Sequence, residues 1–254
     1  MSVSPTRSAS LVTGASQRIG RAVALALAKR GYAVAVHCRR SRDAADRVVE
    51  EIRRDGGRAA VVGADLATPD ETDRLVAAAA AAVGPLTCLV NNASEFHEDD
   101  VASMTRDGYA RHLEVNLTAP LFLSQAFAAQ LPAGSPGVIV NLTDQRVWRP
   151  TPEFFSYSLS KAALWDATRM LAQAFAPRIR VNAVGPGPVL QSVHQTPAEF
   201  EAERAGTLLG RGASPEEIAA AVGFILDAPA MTGQMIALDG GQHLSWRPAA
   251  PTAG

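Results

Sequence analysis

Cysteine is nearly absent: Cys38 and Cys88 are the two copies in 254 residues, and neither stands at metal-ligand spacing from another cysteine or a histidine. That argues against a disulfide framework or a cysteine-held metal, and both read as reduced core residues in apolar, strand-like contexts. An excess of one charge is missing too. Lysine and arginine number 24 against 25 acids, a net charge of -1, which gives no electrostatic case for nucleic acid or an anionic membrane surface. There is no run of about 18 apolar residues, and the opening MSVSPTRSAS lacks the apolar centre of a secretory signal. A cytoplasmic location is the expectation. His37 and His112 have no partner at metal spacing, and His97 lies among Glu95, Glu98, Asp99 and Asp100, so no metal is expected either.

What the chain does have is apolar content, 47% against 19% charged residues, enough for one large α/β domain. Short β-rich runs near 9–13, 32–38, 59–64, 86–91, 137–142, 178–184 and 234–238 alternate with alanine-rich amphipathic stretches such as Gly20 to Arg30 and Ser41 to Asp55. This alternation predicts a single domain over 1–254, a doubly wound seven-stranded parallel sheet with right-handed crossovers and helices on both faces. Its longest break, Pro186 to Pro215, is expected to form a substrate lid over roughly 187–213. The Pro- and Ala-rich tail, 246–254, is expected to be loose.

The first strand runs into Thr13-Gly14-Ala15-Ser16-Gln17-Arg18-Ile19-Gly20 and then a helix. Gly14 permits a tight turn, Gly20 lets helix and strand approach, and the helix N-terminus offers amides to a pyrophosphate; Gly14, Ser16, Arg18, Ile19 and Gly20 are therefore candidate nucleotide ligands. Where an acid would bind an adenosine 2′-hydroxyl, the second strand ends in His37-Cys38-Arg39-Arg40-Ser41. The guanidiniums of Arg39 and Arg40 and the Ser41 hydroxyl, with His37 beside them, suit a 2′-phosphate and hence NADPH. Tyr157 and Lys161 share a helix face one turn apart. An ammonium beside a phenol favours the phenolate, lowers a pKa that starts near 10, and makes the tyrosine a usable general acid. Asp144 closes the apolar run Gly-Val-Ile-Val-Asn-Leu-Thr-Asp, which reads as a buried parallel strand, at the end where open α/β sheets place ligands.

With these residues in view, the chain resembles the short-chain dehydrogenase/reductase family over nearly its whole length. The further matches are Ala64-Asp65-Leu66, Asn91-Asn92-Ala93, Asn116, Pro186-Gly187 and Asp239-Gly240-Gly241. The resemblance implies a Rossmann fold binding NADP. By the same likeness Asp65 and Leu66 flank the adenine, Asn92, Ala93, Pro186 and Gly187 lie along the cofactor, and Asn116 supports a proton-relay water near Lys161. A homotetramer with the Tyr157 helix buried between subunits is also implied.

Three positions depart from the general family pattern: Arg18 and Ser94 replace glycines, and Asp144 replaces a serine. Together with Phe96 they look like the pteridine reductase branch, which includes bacterial dihydromonapterin reductases. That likeness implies Phe96 stacking on a flat pterin opposite the nicotinamide, with Arg18 and Ser94 contacting pterin and cofactor phosphate. Asp144 agrees chemically. A carboxylate would destabilise the oxyanion of ketone reduction, whereas reduction of a ring C=N bond needs a proton on nitrogen, which Tyr157 can give with Asp144 orienting or recharging it. The expected substrate is a dihydropterin of the dihydromonapterin, dihydrobiopterin or dihydrofolate type. Two alternatives remain open at this point: an NADPH-dependent carbonyl reductase, for instance of a 3-oxoacyl thioester, and an NADP-binding sensor or scaffold without turnover.

Overall fold

Strands buried on both faces read as nearly continuous apolar runs, which is why the central strands are legible in the sequence. The structure, a computed structural model, describes residues 8–245; the tail expected to be loose lies outside them. In chain order it contains β1 (Ala9–Val12), α1 (Arg18–Lys29), β2 (Ala33–Cys38), α2 (Arg42–Arg54), β3 (Arg58–Gly63), α3 (Pro69–Val83) and β4 (Leu86–Asn91). Then come α4 (Arg106–Leu113), a π-helical turn (Glu114–Thr118), α5 (Ala119–Gln130), β5 (Gly137–Leu142), a 3-10 turn (Gln145–Val147) and α6 (Phe155–Phe175). The chain continues through β6 (Ile179–Pro186), α7 (Pro197–Ala205), α8 (Pro215–Asp227), β7 (Met235–Leu238) and a second 3-10 turn (Gln242–Leu244). The strands form one parallel sheet in the order β3-β2-β1-β4-β5-β6-β7.

Successive strand residues serve opposite layers. Val34, Val36 and Cys38 of β2 pack under α1, α2 and α8, with Val12, Cys88 and Val90. Ala33 and Ala35 face the other way, joining Leu11, Leu89 and Ile139 beneath α3, α5 and α6. Both cysteines are free and buried, and burial pushes the Cys88 thiol up to about 12; Cys88 is packing material rather than a nucleophile.

Strand order reverses between β1 and β4, so the chain leaves their carboxyl ends in opposite directions and opens a crevice there. One residue from each side stitches the two lips together. Thr13 Oγ1 accepts from the amides of Asn92 at 2.9 Å and Ala93 at 3.0 Å, while Asn92 Nδ2 donates to the carbonyls of Thr13 at 2.8 Å and Gly14 at 3.1 Å. Gly20 is obligatory for this closeness: a Cβ there would lie 2.2 Å from Gly14 O and 2.5 Å from Asn92 Nδ2. In an unobstructed helix, alanine for glycine stabilises by about 1 kcal/mol. Here Gly20→Ala is expected to destabilise by about 1–3 kcal/mol in denaturant unfolding; a gain in stability would show that the loop yields.

Candidate active site

A cleft of about 710 Å³ crosses the carboxyl ends of the strands. Every residue singled out from the sequence for cofactor, substrate or catalysis lines it, except Asn116.

The acid-base residues meet where β5 ends against the first turns of α6. Tyr157 Oη donates to Asp144 Oδ2 at 2.8 Å. The other carboxylate oxygen, Oδ1, accepts the Arg146 amide at 2.8 Å and so caps the 3-10 turn. Asp144 is thus both a loop cap and a site residue. Lys161 is buried, its Nζ donating to Leu142 O at 2.8 Å and lying 5.7 Å from the Tyr157 ring centre. Burial raises the Asp144 carboxyl, although Arg146, the hydrogen bonds it accepts and Lys161 all pull it down. Burial also lowers the Lys161 ammonium to about 8, against the pull of Asp144.

One expectation is corrected. The spacing of Tyr157 and Lys161 predicts a phenol made more acidic, but burial, with the Asp144 charge and hydrogen bond, raises Tyr157 well above its usual value. Desolvation disfavours the phenolate, and helix spacing carries no information about it. The resting site therefore holds its tyrosine proton firmly.

Asn116 sits on the π-helical turn, a distortion frequent near functional sites. Its side chain is saturated: Nδ2 donates to Glu95 O at 2.9 Å and Ser160 Oγ at 3.0 Å, and Oδ1 accepts from Glu95 N at 2.8 Å and Ser94 Oγ at 3.2 Å. It fastens the loop after β4 to α6, with no side-chain donor left over for a relay water. A second fastening lies at the start of that helix. Phe154, at the N-cap position, is left-handed with φ 52 and offers no side-chain cap. Asp99 supplies one from the loop, its carbonyl accepting Phe155 N at 3.1 Å and its Oδ1 accepting Ser156 N at 2.9 Å.

Phe96 stacks on Phe154, centroids 4.5 Å apart and planes 7° apart, and meets Tyr157 edge-on at 4.7 Å. The sequence signalled Phe96 but not Phe154, whose place depends on the fold of the segment before α6. The expected lid, 187–213, contains α7, started by a Thr196–Glu199 capping box. Phe200 and Glu203 from α7 line the cleft. His194 Nε2 lies 3.1 Å from Phe96 O, and Arg18 donates to the carbonyls of Leu190 and Gln191, both at 3.0 Å. Arg18, expected on pterin and phosphate, thus ties the glycine loop to the segment after β6. Its φ of 54 is the left-handed region where the family pattern has glycine.

At the other end, His37 is buried with both ring nitrogens engaged: Nδ1 accepts Gly14 N at 3.0 Å and Nε2 stands 3.0 Å from Ala64 O. That pattern fixes the neutral Nε2–H tautomer, and burial holds its pKa below the usual value despite the Ala64 contact. His37 shapes the glycine loop. Arg39 pairs with Glu95 at 3.5 Å, and Glu95 also binds Arg111. Burial alone would raise Glu95; Arg111, Arg39 and His97 outweigh it and hold the carboxyl low. Arg40 and Ser41 are exposed at the start of α2, and Arg40 makes no ion pair among the described residues. The cradle fits a dinucleotide. A Cβ on Gly14 would come 3.0 Å from Ala93 Cα, one on Gly187 2.7 Å from Asp239 Cα, and Gln17 leaves the first amides of α1 without a side-chain cap.

The family model described as enoyl-(acyl carrier protein) reductase matches residues 14–243. The chain belongs to the short-chain dehydrogenase/reductase family. Among curated relatives, the 3-oxoacyl-[acyl-carrier-protein] reductase of Synechocystis is 34% identical, over 93% of this chain and 97% of that one. Among solved structures, FolM alternative dihydrofolate reductase 1 from Brucella suis in complex with NADP superimposes with a TM-score of 0.93 at 46% identity, covering 96% of this chain and 98% of that one. An angucycline C-6 ketoreductase with bound NADP gives 0.87 at 34% identity, with coverages of 94% and 97%. Among the described residues no helix is long and apolar enough to cross a membrane.

Because Asp144 titrates above its unfolded value, the native state binds its proton more tightly than the unfolded chain does. The stability it contributes is full below about pH 3.9 and is lost as pH rises through the raised native value. Asp144→Asn is therefore expected to raise the thermal midpoint at pH 7 and to lose that advantage towards pH 4. A midpoint unchanged at pH 7 would contradict the burial penalty.

Proposed function

We propose that this protein is an NADPH-dependent reductase of dihydropterins, forming the tetrahydro ring. It is an oxidoreductase of the short-chain family, with NADP(H) as its cofactor. The observation that carries the substrate assignment is the hydrogen-bonded Asp144–Tyr157 pair beside aromatic walls. A FolM alternative dihydrofolate reductase among the similar solved structures supports the same reading.

Bound NADPH supplies the hydride. Gly14, Ser16, Ile19 and Gly20 would hold the pyrophosphate, Arg40, Ser41 and Arg39 the 2′-phosphate, Asp65 and Leu66 the adenine, and Asn92, Ala93, Pro186 and Gly187 the remainder. Tyr157 gives its proton to the ring nitrogen of the C=N bond: the O–H bond breaks, its electron pair stays on oxygen, and an N–H bond forms. Asp144 accepts the Tyr157 hydrogen bond as a carboxylate; once Tyr157 has given its proton, Asp144 takes one from solvent and returns it to the tyrosine oxygen. Lys161 supports the developing charge, and Asn116 acts by holding Ser94 and Glu95 against α6. Phe96, Ser94 and Arg18 form the wall that meets the flat ring, and the segment 187–213 serves as the lid. A homotetramer is part of the proposal; exposed Phe122, Met170 and Phe224 are its apolar support.

The Synechocystis relative favours a second reading, reduction of a 3-oxoacyl thioester. Asp144 argues against it, since a carboxylate faces the place where a ketone oxyanion would develop. Parallel NADPH-oxidation assays decide: dihydromonapterin, dihydrobiopterin or dihydrofolate should be turned over and 3-oxoacyl thioesters should not, and the opposite outcome replaces the proposal. Tyr157→Phe should lower kcat at least about a hundredfold with NADPH affinity intact; an unchanged kcat removes Tyr157 as acid. Arg40→Ala should weaken NADPH by about tenfold and leave NADH nearly unaffected, which paired titrations of the two cofactors would read.

A further inference from the structure

Arg146 belongs to no sequence motif considered above, yet it places a guanidinium without an acidic partner among the described residues in the cleft wall. Its backbone amide donates to Asp144 Oδ1 at 2.8 Å, so guanidinium and carboxylate spring from one tight turn. The guanidinium lies 4.9 Å from the ring centre of Phe154, which in turn stacks on Phe96. Among the described residues its side chain makes no hydrogen bond and no ion pair, and Nη1 is buried without a partner. An arginine with nothing to gain indoors extends its head to water; holding it half-buried and unpaired is costly.

The carboxylates around this end of the cleft narrow the choice of counter-charge. Glu95 is bound to Arg111 and Arg39, Glu203 accepts from Gln195 and Gln242, and Asp239 is paired with His243 on the turn packed against Trp148. Among the described residues Asp144 has no ion pair, although Lys161 faces it from α6. We propose that Arg146 is the counter-charge of Asp144, a positioning residue that makes a carboxylate tolerable beside the tyrosine that releases a proton. This rests on Tyr157 being the proton donor and Asp144 its partner.

The charge balance explains the need. With a serine at 144, one lysine suffices to support a tyrosine losing its proton. A carboxylate one hydrogen bond away adds a second negative charge in a desolvated place, where like charges repel strongly. Arg146, two residues further on, restores the balance without forming a direct pair, leaving both carboxylate oxygens for Tyr157 and the turn. Its charge opposes the burial of Asp144 and acts in the same direction on Tyr157.

Two measurements test this. In Arg146→Met, kcat for a dihydropterin at neutral pH should fall about tenfold, the alkaline decline of kcat should move up by about one pH unit, and both KM values should stay within about twofold. Arg146→Lys, which keeps the charge, should restore most of the rate and the profile. A raised dihydropterin KM with an unmoved profile would make Arg146 a substrate ligand and overturn the proposal. The second measurement needs no substrate: in a thermal-unfolding cycle at neutral pH, Arg146→Met should cost several degrees more with Asp144 present than in an Asp144→Asn background. Equal costs overturn it. Wild-type enzyme inert towards dihydropterins would sink the functional reading alone, and the unfolding cycle would still decide on Arg146.

Discussion

The site depends on one clamp, the Asn92 side chain on the carbonyls of Thr13 and Gly14 across the point where strand order reverses. It sets the distance between the glycine loop and the segment leaving β4. From there, position is handed along a single loop. Ser94 and Glu95 are fixed to Asn116, Asn116 to Ser160, and Asp99 to the first two amides of α6. The helix carrying Tyr157 and Lys161 is therefore registered against the cofactor loop through hydrogen bonds to buried or half-buried groups, which break at the full cost of desolvation. A shift at the clamp would reach Phe96 and Tyr157 together.

Burial controls the chemistry as firmly as it controls position. It pushes Asp144 and Tyr157 up and Lys161 down to about 8, so all three groups are driven towards their neutral forms. A ketone site in this place would want donors alone around a developing oxyanion, whereas Asp144 accepts from Tyr157 Oη and puts an acceptor there. Proton delivery to a ring nitrogen asks instead for a loaded, firmly held proton and a route to replace it. The pKa directions and the identity of residue 144 thus favour the same reaction for the same reason.

Much of this was legible in the sequence, unevenly and for physical reasons. The strands were legible because parallel strands covered on both faces are mostly apolar, and the cofactor cradle because tight backbone approach admits little but glycine at 14 and 20. The Tyr157–Lys161 face followed from helix geometry alone. The acidity of Tyr157 did not, since its sign depends on desolvation that spacing cannot express. Phe154 and Arg146 were invisible because loops bring them to the cleft, with no period to read. His37 and Asn116 were found, but the contacts that hold them were not, since their side-chain partners lie far along the chain and only the fold brings them together.

Phe154 shows how the aromatic wall is bought from the fold. A left-handed phenylalanine costs about 1–2 kcal/mol, and at an N-cap it deprives α6 of the Ser or Asp that would ordinarily accept the first amides. Asp99 supplies those acceptors from another loop, placing a carboxylate at the positive end of the helix where it is favoured. The strain is then offset by what the conformation permits, a ring flat against Phe96 with a guanidinium nearby. A serine at 154 would cap the helix more simply and lose the wall. The local rule is broken at the position where obeying it would remove the surface on which a flat ring can lie.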